Sequence, residues 1–180
     1  MSNSGMIYYY YNGTYNYSVI GLPYKGDETI MYIILPDKGQ KLGHVLTKIH
    51  AQDLYDIMNS TERDTEASYT LPFMHLSDNI GLKTMLERLG VHNIFDPVRA
   101  NLSRIAENLS LYVSEALHNV NLDVTEAGST GAASTAVIIE TKFPSKKIVL
   151  VNRPFSFYII HRPSGVISFW GTIYDPRHRI

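Results

Sequence analysis

The stretch EAGSTGAASTAVIIETKFPSKK, residues 126–147, decides the fold of this chain. Every residue from position 127 to position 136 is Ala, Gly, Ser or Thr, and the β-branched residues Val137, Ile138 and Ile139 follow directly. Such a run makes a poor helix and a poor core, because small side chains offer little apolar surface to bury. The segment therefore calls for an explanation other than packing in the interior.

Written as a strand, this segment has two faces of different character. The register that starts at Ser129 holds no charge, whereas the register that starts at Thr130 carries both Glu140 and Lys142. The uncharged register is suited to face into a sheet, although Gly and Ala weaken a strand that stands alone. The pattern favours a segment with two states, an exposed loop and an inserted strand. A flexible linker is the alternative, and it explains the small residues but not the separation of charge.

Composition limits the class of protein to which the chain can belong. Its 180 residues are 44% hydrophobic and 18% charged, which is typical of one globular domain with a real core. The net charge of −1 gives no general attraction to nucleic acid or to anionic membranes. No apolar run is long enough to span a bilayer, and the first residues lack the features of a signal peptide. Without cysteine, disulfides and thiolate metal sites are excluded.

Hydrophobic periodicity and turn signals predict a β-dominated α+β domain. We expect strands at residues 6–11, 15–21, 29–35, 148–151, 155–161 and 166–173, and helices over 41–59 and 82–89. Extended chain is expected at 111–124 and at 66–76, where Pro72 makes the segment bent or places part of it at a sheet edge. Asp78 or Asn79 is the predicted cap of the second helix, and Gly90 is its predicted end. The tyrosine run at 8–11 is interpreted as strand packing, with an aromatic binding surface as the alternative.

A search for catalytic motifs predicts that this chain is not an enzyme. It contains no H-E-x-x-H, no G-x-S-x-G and no phosphate-binding G-x-x-x-x-G-K-[ST] motif. Among its seven histidines, His75, His118 and His161 fall in predicted strands, and we interpret them as hydrogen-bonded structural residues. The pair Lys146-Lys147 is interpreted as solvated. No metal and no cofactor are expected.

Acceptor motifs for N-linked glycans are frequent in this chain. Five of its eleven asparagines start an N-x-[ST] motif: Asn12, Asn16, Asn59, Asn101 and Asn108. This frequency favours an extracellular glycoprotein. Chance occurrence in a chain rich in Ser and Thr is the alternative.

The small-residue segment resembles the hinge of the reactive centre loop in the serpins, a family of serine protease inhibitors. The resembling hinge residues are Glu126, Gly128, Ser129, Thr130, Gly131, Ala132, Ala133, Ser134 and Thr135. Further motifs resemble the family in the same order along nearly the whole chain, at 22–27, 33–37, 81–83, 89–90, 95–96, 102–103, 111–118, 153–155 and 171–176. The resemblance implies one partial domain over 1–180, the C-terminal half of a serpin. It also implies parts of sheets A, B and C, about three helices and a reactive centre loop at about 127–148.

The resemblance also implies a mechanism and a partner. In serpins a serine protease attacks the exposed loop and forms an acyl-enzyme, and the cleaved loop then inserts into sheet A and deforms the protease. The position of the hinge places the reactive bond between Lys142 and Phe143. Lys142 suits the pocket of a trypsin-like serine protease, which holds a buried carboxylate. His118 matches the family's shutter histidine.

Three departures from the family pattern bear on this expectation. Gly131 stands where alanine is usual, and Phe73 stands where a lysine usually pairs with the glutamate matched by Glu126. The third departure is that the N-terminal half of a serpin is missing, so that sheet A is expected to keep only residues 111–124 and 66–76. The main hypothesis is a suicide inhibitor of trypsin-like proteases. The alternative is a non-inhibitory fragment that acts as a protease substrate or binding partner, including a partner that supplies the missing half.

Overall fold

The computed structural model describes residues 1–60, 65–107, 109–125 and 146–176, apart from the side chain of Ser60. These residues form two compact units. The first unit contains Met1–Phe73 and the described residues from Val124 onward, and the second contains Met74–Asp123. No helix in the described ranges is long and apolar enough to cross a membrane.

Strands outnumber helices in both units. The strands are β1 (Ser2–Asn12), β2 (Tyr17–Pro23), β3 (Thr29–Pro36), β4 (Thr65–Thr70), β5 (Met74–Gly81), β6 (Leu117–Val124), β7 (Lys147–Leu150), β8 (Phe155–His161) and β9 (Val166–Ile173). The helices are α1 (Leu42–Leu46), α2 (Ala51–Ser60) and α3 (Lys83–Arg88), with a 3₁₀ turn at Asn93–Phe95. The predicted bounds of β8 and β9 agree with the structure.

The first unit is built on a seven-stranded sheet in the order β7-β4-β1-β2-β3-β8-β9. Only the β4–β7 pair is parallel, and the other neighbours run antiparallel. The long strand β1 belongs to two ladders, because Ser2–Ile7 pairs with β4 and Tyr8–Asn12 pairs with β2. β1 thus joins β7 and β4 on one side to β2, β3, β8 and β9 on the other.

The core of this unit lies between the central strands and the first two helices. Residues 30–36 of β3 and 155–160 of β8 are all buried, which explains why both strands are almost continuously apolar. Val45 of α1 and Leu54, Ile57 and Met58 of α2 belong to the same buried cluster as these strands. The apolar stripes of the helices therefore cover one face of the sheet.

A row of aromatic side chains crosses five neighbouring strands at one register. Tyr8, Gly21, Tyr32, Tyr158 and Trp170 are successive cross-strand partners. The ring centroid of Tyr32 lies 6.2 Å from that of Tyr8 and 5.2 Å from that of Tyr158. Trp170 stacks on Tyr158 with 5.6 Å between the ring centroids. Gly21 leaves room for the Tyr32 ring, since a Cβ atom there would lie 2.6 Å from that ring and 2.9 Å from the Tyr8 Cβ atom. Burial raises the pKa of Tyr158, because a phenolate would lose its hydration.

The second unit combines a two-stranded sheet, β5–β6, with α3 and the 3₁₀ turn. The backbone N–H of Leu82 donates to the carbonyl of Ala116 at 2.7 Å and fixes the start of α3. Gly90 adopts a φ of 91° after the helix, as expected for a glycine that ends a helix. Phe95 is buried, and Lys83 lies with its Nζ atom 5.7 Å from the Phe95 ring centroid.

Two predictions about helices are wrong in detail. The predicted helix over 41–59 is two helices, because Thr47 turns back to donate through its hydroxyl to the His44 carbonyl at 2.8 Å. A new helix then starts where the Asp53 carboxylate accepts the His50 backbone N–H at 2.6 Å. Asp78 and Asn79 do not cap α3, since both lie within β5 and the cap position is Leu82 without a side-chain bond.

The expected extended segments are interrupted or shortened in the structure. The extended segment 66–76 is interrupted around Pro72, as expected, because β4 ends at Thr70, β5 begins at Met74, and Pro72 cannot donate to a ladder. The β4 part belongs to the seven-stranded sheet, and β5 is the partner of β6. Within 111–124 only Leu117–Val124 is a strand.

Candidate functional site

The segment that carries the predicted reactive bond and hinge, residues 126–145, lies outside the described residues. Lys142, Phe143, Glu126 and the hinge residues from Gly128 to Thr135 are therefore not placed by the structure. The structure describes the two flanks of the segment. One flank is β6 with Thr125, and the other is Lys146 with β7.

The flank before the segment is a strand with an open edge. β6 pairs with β5, and in the described part of the chain this sheet contains no third strand beside β6. Most of β6 is solvent-exposed, including Leu117 at 62% and the predicted shutter residue His118. The backbone groups along such an edge are free to pair with a further strand.

One side-chain contact joins the two strands of this sheet. His75 Nδ1 on β5 contacts Asp123 Oδ1 on β6, and both side chains are more than half exposed. His75 and His118 lie in strands as predicted, but on solvent-exposed positions rather than among apolar neighbours. His161 also lies in a strand, where its Nδ1 atom is 2.7 Å from the Ser164 hydroxyl.

The flank after the segment is a short edge strand held by one buried side chain. β7 pairs in parallel with β4, with Ala67 opposite Lys147 and Thr70 opposite Leu150. Val149 is 6% exposed, whereas Ile148 is 73% exposed. The ladder continues one residue further, since the Val151 N–H donates to the Thr70 carbonyl at 2.9 Å.

Both lysines at the start of this flank have specific partners. Lys146 Nζ lies 3.3 Å from Glu66 Oε1, and Lys147 Nζ lies 3.3 Å from the ring centroid of Tyr9. The first contact is an exposed ion pair with β4, and the second is a cation–π contact that reaches past β4 to β1. Both lysines are solvent-exposed, as predicted, and their partners were not predicted. Parallel pairing of β4 with β7 brings Glu66 close, and no local sequence signal marks that pairing.

Arg153 fastens the chain that leaves β7. Its Nε atom donates to the Pro36 carbonyl at 2.6 Å, and its Nη1 atom donates to the Leu150 carbonyl at 3.2 Å. Partial burial lowers the pKa of Arg153, which nevertheless stays charged at neutral pH. The R-P-F motif at 153–155 was part of the family pattern, but its sequence did not indicate this tether.

Other predicted site residues are placed individually. Phe73, which replaces the usual lysine, lies between β4 and β5 and is 52% exposed, while its expected counterpart Glu126 is outside the described residues. The acceptor asparagines Asn12, Asn16, Asn59 and Asn101 are described, and Asn108 is not. Within the described ranges, no group of three or more acidic or histidine side chains could hold a metal ion.

The chain belongs to the serpin family, since residues 1–176 match the family described as Serpin (serine protease inhibitor). Plasminogen activator inhibitor 1 of Neovison vison is 32% identical over 161 residues, which cover 89% of this chain and 40% of that protein. Intracellular coagulation inhibitor 2 of Tachypleus tridentatus is 33% identical over 175 residues, 96% of this chain and 42% of that protein. Ovalbumin of Dromaius novaehollandiae is 35% identical over 159 residues, 88% of this chain and 41% of that protein.

These matches confirm the resemblance and the β-dominated, partial serpin fold predicted from the sequence. The chain spans about two fifths of the length of these relatives. The family is one of serine protease inhibitors and not of catalysts. Its relatives here include one named as intracellular, so the family alone does not fix the compartment.

Proposed function

We propose that this chain is the C-terminal part of a suicide inhibitor of trypsin-like serine proteases, with Lys142–Phe143 as the reactive bond. The observation that carries the proposal is the open edge of β6, which lies directly before the small-residue segment. A strand that continues from β6 through a hinge is placed to fold back and pair with that edge. The two compact units are, in this proposal, parts of one serpin domain.

The proposed reaction starts as ordinary proteolysis. The protease serine attacks the carbonyl carbon of Lys142, an ester to the enzyme forms, and the amide bond to Phe143 breaks with the Phe143 nitrogen leaving as an amine. The Lys142 side chain pairs with the carboxylate of the enzyme's specificity pocket. The freed segment then inserts beside β6 with its uncharged register, from Ser129 onward, facing inward.

Anchoring of β7 supports this proposal from the other flank. A bait bond has to be offered by a loop whose two ends are held, because a loose segment gives the protease no fixed geometry. Lys146, Lys147 and Arg153 contact three different strands, β4, β1 and β3, and hold the end that follows Phe143. The proposed partner is an extracellular trypsin-like protease. Within this chain, His118 is the proposed shutter residue, which controls opening of the sheet for insertion.

A non-inhibitory role is the second candidate for the chain as it stands. Its supporting observation is that β6 has β5 as its one partner strand in the described residues, while the relatives are more than twice as long. Insertion needs ladder hydrogen bonds and buried area on both sides of the new strand. With one side missing, deacylation is faster than trapping, and the chain is consumed as a substrate.

Limited digestion with trypsin tests the reactive bond. Intact-mass measurement should show the first cut after Lys142, and Lys142→Ala should move the first cut elsewhere. A first cut after Lys25 or Lys41, both exposed, would contradict the assignment. On a denaturing gel, residues 1–180 alone should give no covalent band with trypsin, and a band at the summed mass would disprove the substrate role.

A further inference from the structure

Three acceptor motifs for N-linked glycans are described in all three of their residues. They start at Asn12, Asn16 and Asn101, whereas the motifs at Asn59 and Asn108 include positions outside the described ranges. Transfer of a glycan to an already folded chain requires that the asparagine amide nitrogen be free and that the motif leave the fold locally to enter the transferase, because the glycan is bulky and has to lie at the surface. The three motifs differ in both respects.

The motif at Asn101 presents its asparagine and its serine together in one exposed turn. Asn101 Oδ1 accepts hydrogen bonds from the Ser103 backbone N–H at 3.3 Å and from the Ser103 hydroxyl at 2.8 Å. Asn101 and Ser103 are both exposed, and the motif lies outside every helix and strand. Asn101 Nδ2 donates no hydrogen bond to any residue in the described ranges. The nitrogen that a glycan would modify is therefore available.

The asparagine of the motif at Asn12 forms hydrogen bonds that hold the β1–β2 hairpin together. Asn12 Oδ1 accepts the backbone N–H groups of Thr14 and Tyr15, each at 3.0 Å, and so shapes the turn. Its Nδ2 atom donates to the hydroxyls of Tyr10 at 3.3 Å and Tyr17 at 3.5 Å. A glycan on Nδ2 would break these bonds and would lie against the partly buried Tyr10 and the buried Tyr17.

The motif at Asn16 is blocked in another way. Asn16 holds a left-handed φ of 53°, and the two residues after it are already part of β2. Tyr17 is 2% exposed, and the Ser18 hydroxyl lies 3.3 Å from the Tyr9 hydroxyl. The transferase would have to pull a central strand out of its sheet to bind this motif.

We propose that Asn101 is a site of N-linked glycosylation and that the folded chain favours it over Asn12 and Asn16. The donor is an oligosaccharide carried on a diphosphate lipid. Asn101 Nδ2 attacks the anomeric carbon of the first sugar, an N–C bond forms, and the bond from that carbon to the phosphate oxygen breaks. The lipid diphosphate leaves with the electron pair, and the amide gives up one proton. This inference does not depend on protease inhibition.

Glycan transfer to the purified chain tests the proposal directly. Residues 1–180 are incubated with an oligosaccharyltransferase and a lipid-linked oligosaccharide in two states. One sample is folded, and the other is unfolded in denaturant and diluted immediately before the reaction. Peptide mapping gives the occupancy of each asparagine. In the folded chain Asn101 should be modified about tenfold faster than Asn12, because Asn12 first has to give up hydrogen bonds that each contribute a factor of several. The unfolded chain should lose this preference.

Two variants provide the matched controls. Ser103→Ala keeps Asn101 exposed but removes the motif, so it should abolish modification there. Asn12→Gln should leave the occupancy of Asn101 unchanged. Equal or faster modification of Asn12 or Asn16 in the folded chain would overturn the proposal, and so would an Asn101 that accepts no glycan in either state.

Discussion

Lys146 and Lys147 follow the proposed reactive bond within a few residues of the sequence, and we predict that the fold protects them from trypsin. To cleave after Lys147, the protease must first detach β7 from β4, because a paired strand does not fit its cleft. Detachment exposes Val149, which is 6% exposed in the structure, and breaks the ladder to β4. Burial of one valine side chain contributes about 1.5–3 kcal/mol, and each ladder bond contributes about 1 kcal/mol.

The two lysine contacts add less to this protection. The Lys146–Glu66 pair is exposed and contributes about 0.5 kcal/mol, and the Lys147–Tyr9 contact contributes about 0.5–1 kcal/mol. With the ladder bonds included, the detachment cost exceeds about 3 kcal/mol, which slows cleavage after Lys147 more than roughly a hundredfold relative to an unpaired lysine. The first trypsin cut should therefore fall after Lys142 and not after Lys146 or Lys147.

Val149→Ala is the perturbation that tests the calculation. Loss of two buried methyl groups removes about 1.5 kcal/mol, so cleavage after Lys147 should become about tenfold faster. Ile148→Ala is the matched control, since Ile148 is 73% exposed on the same strand and its loss should change the rate about twofold or less. Rates are measured by mass spectrometry and divided by those of peptides spanning residues 144–153, which removes the effect of each substitution on trypsin itself.

The reasoning is refuted if Lys147 is cut as fast as Lys142 in the unmodified chain. It is also refuted if Val149→Ala accelerates the cut no more than Ile148→Ala does.

Two further predictions concern the hinge and the aromatic row. The first is tested in a longer protein that contains this chain and forms denaturant-stable complexes with a protease. Ser129→Arg should convert inhibition into substrate turnover more completely than Thr130→Arg, because the register of Ser129 would bury an unpaired charge. Complexes that Ser129→Arg does not diminish on a denaturing gel would contradict this prediction. Gly21→Ala should lower the free energy of unfolding by about 1–3 kcal/mol in urea denaturation, because its Cβ would clash with Tyr32. Gly5→Ala is its control, since a Cβ there meets nothing within 4 Å, and equal effects of the two substitutions would disprove the packing argument.

Local patterns predicted the elements of this fold better than their pairing. The bounds of β8 and β9 followed from apolar runs between turn signals, and the family followed from motifs spread along the chain. The partners of β4 did not follow, because its ladders with β1 and β7 join segments far apart in sequence and no local feature sets their register. The break between β4 and β5 was hinted at by Pro72 alone.

The candidate site shows the same division. Its hinge and reactive bond are predictions from composition and family pattern, and they lie outside the described residues. Its anchors were missed, since Tyr9, Glu66 and Arg153 act through partners that only the three-dimensional pairing of strands brings together. The exposure of His75 and His118 was also missed, because strand periodicity does not tell which face of a two-stranded sheet is covered.

The sharing of β1 between two ladders has a mechanical consequence. Load that passes from β7 through the hydrogen-bonded ladders reaches β4 first, then residues 2–7 of β1, and only then the strands beyond β1. The junction between Ile7 and Tyr8 lies on this route, whereas the chain that continues from β7 into β8, together with the Arg153–Pro36 bond, forms a second route to the central strands. The side chains of Ile7 and Tyr8 are buried, so the junction is stiffened by the core on either side. A force on Lys146 would therefore be shared between the β4–β7 ladder and the Arg153 tether, and β1 would carry only part of it.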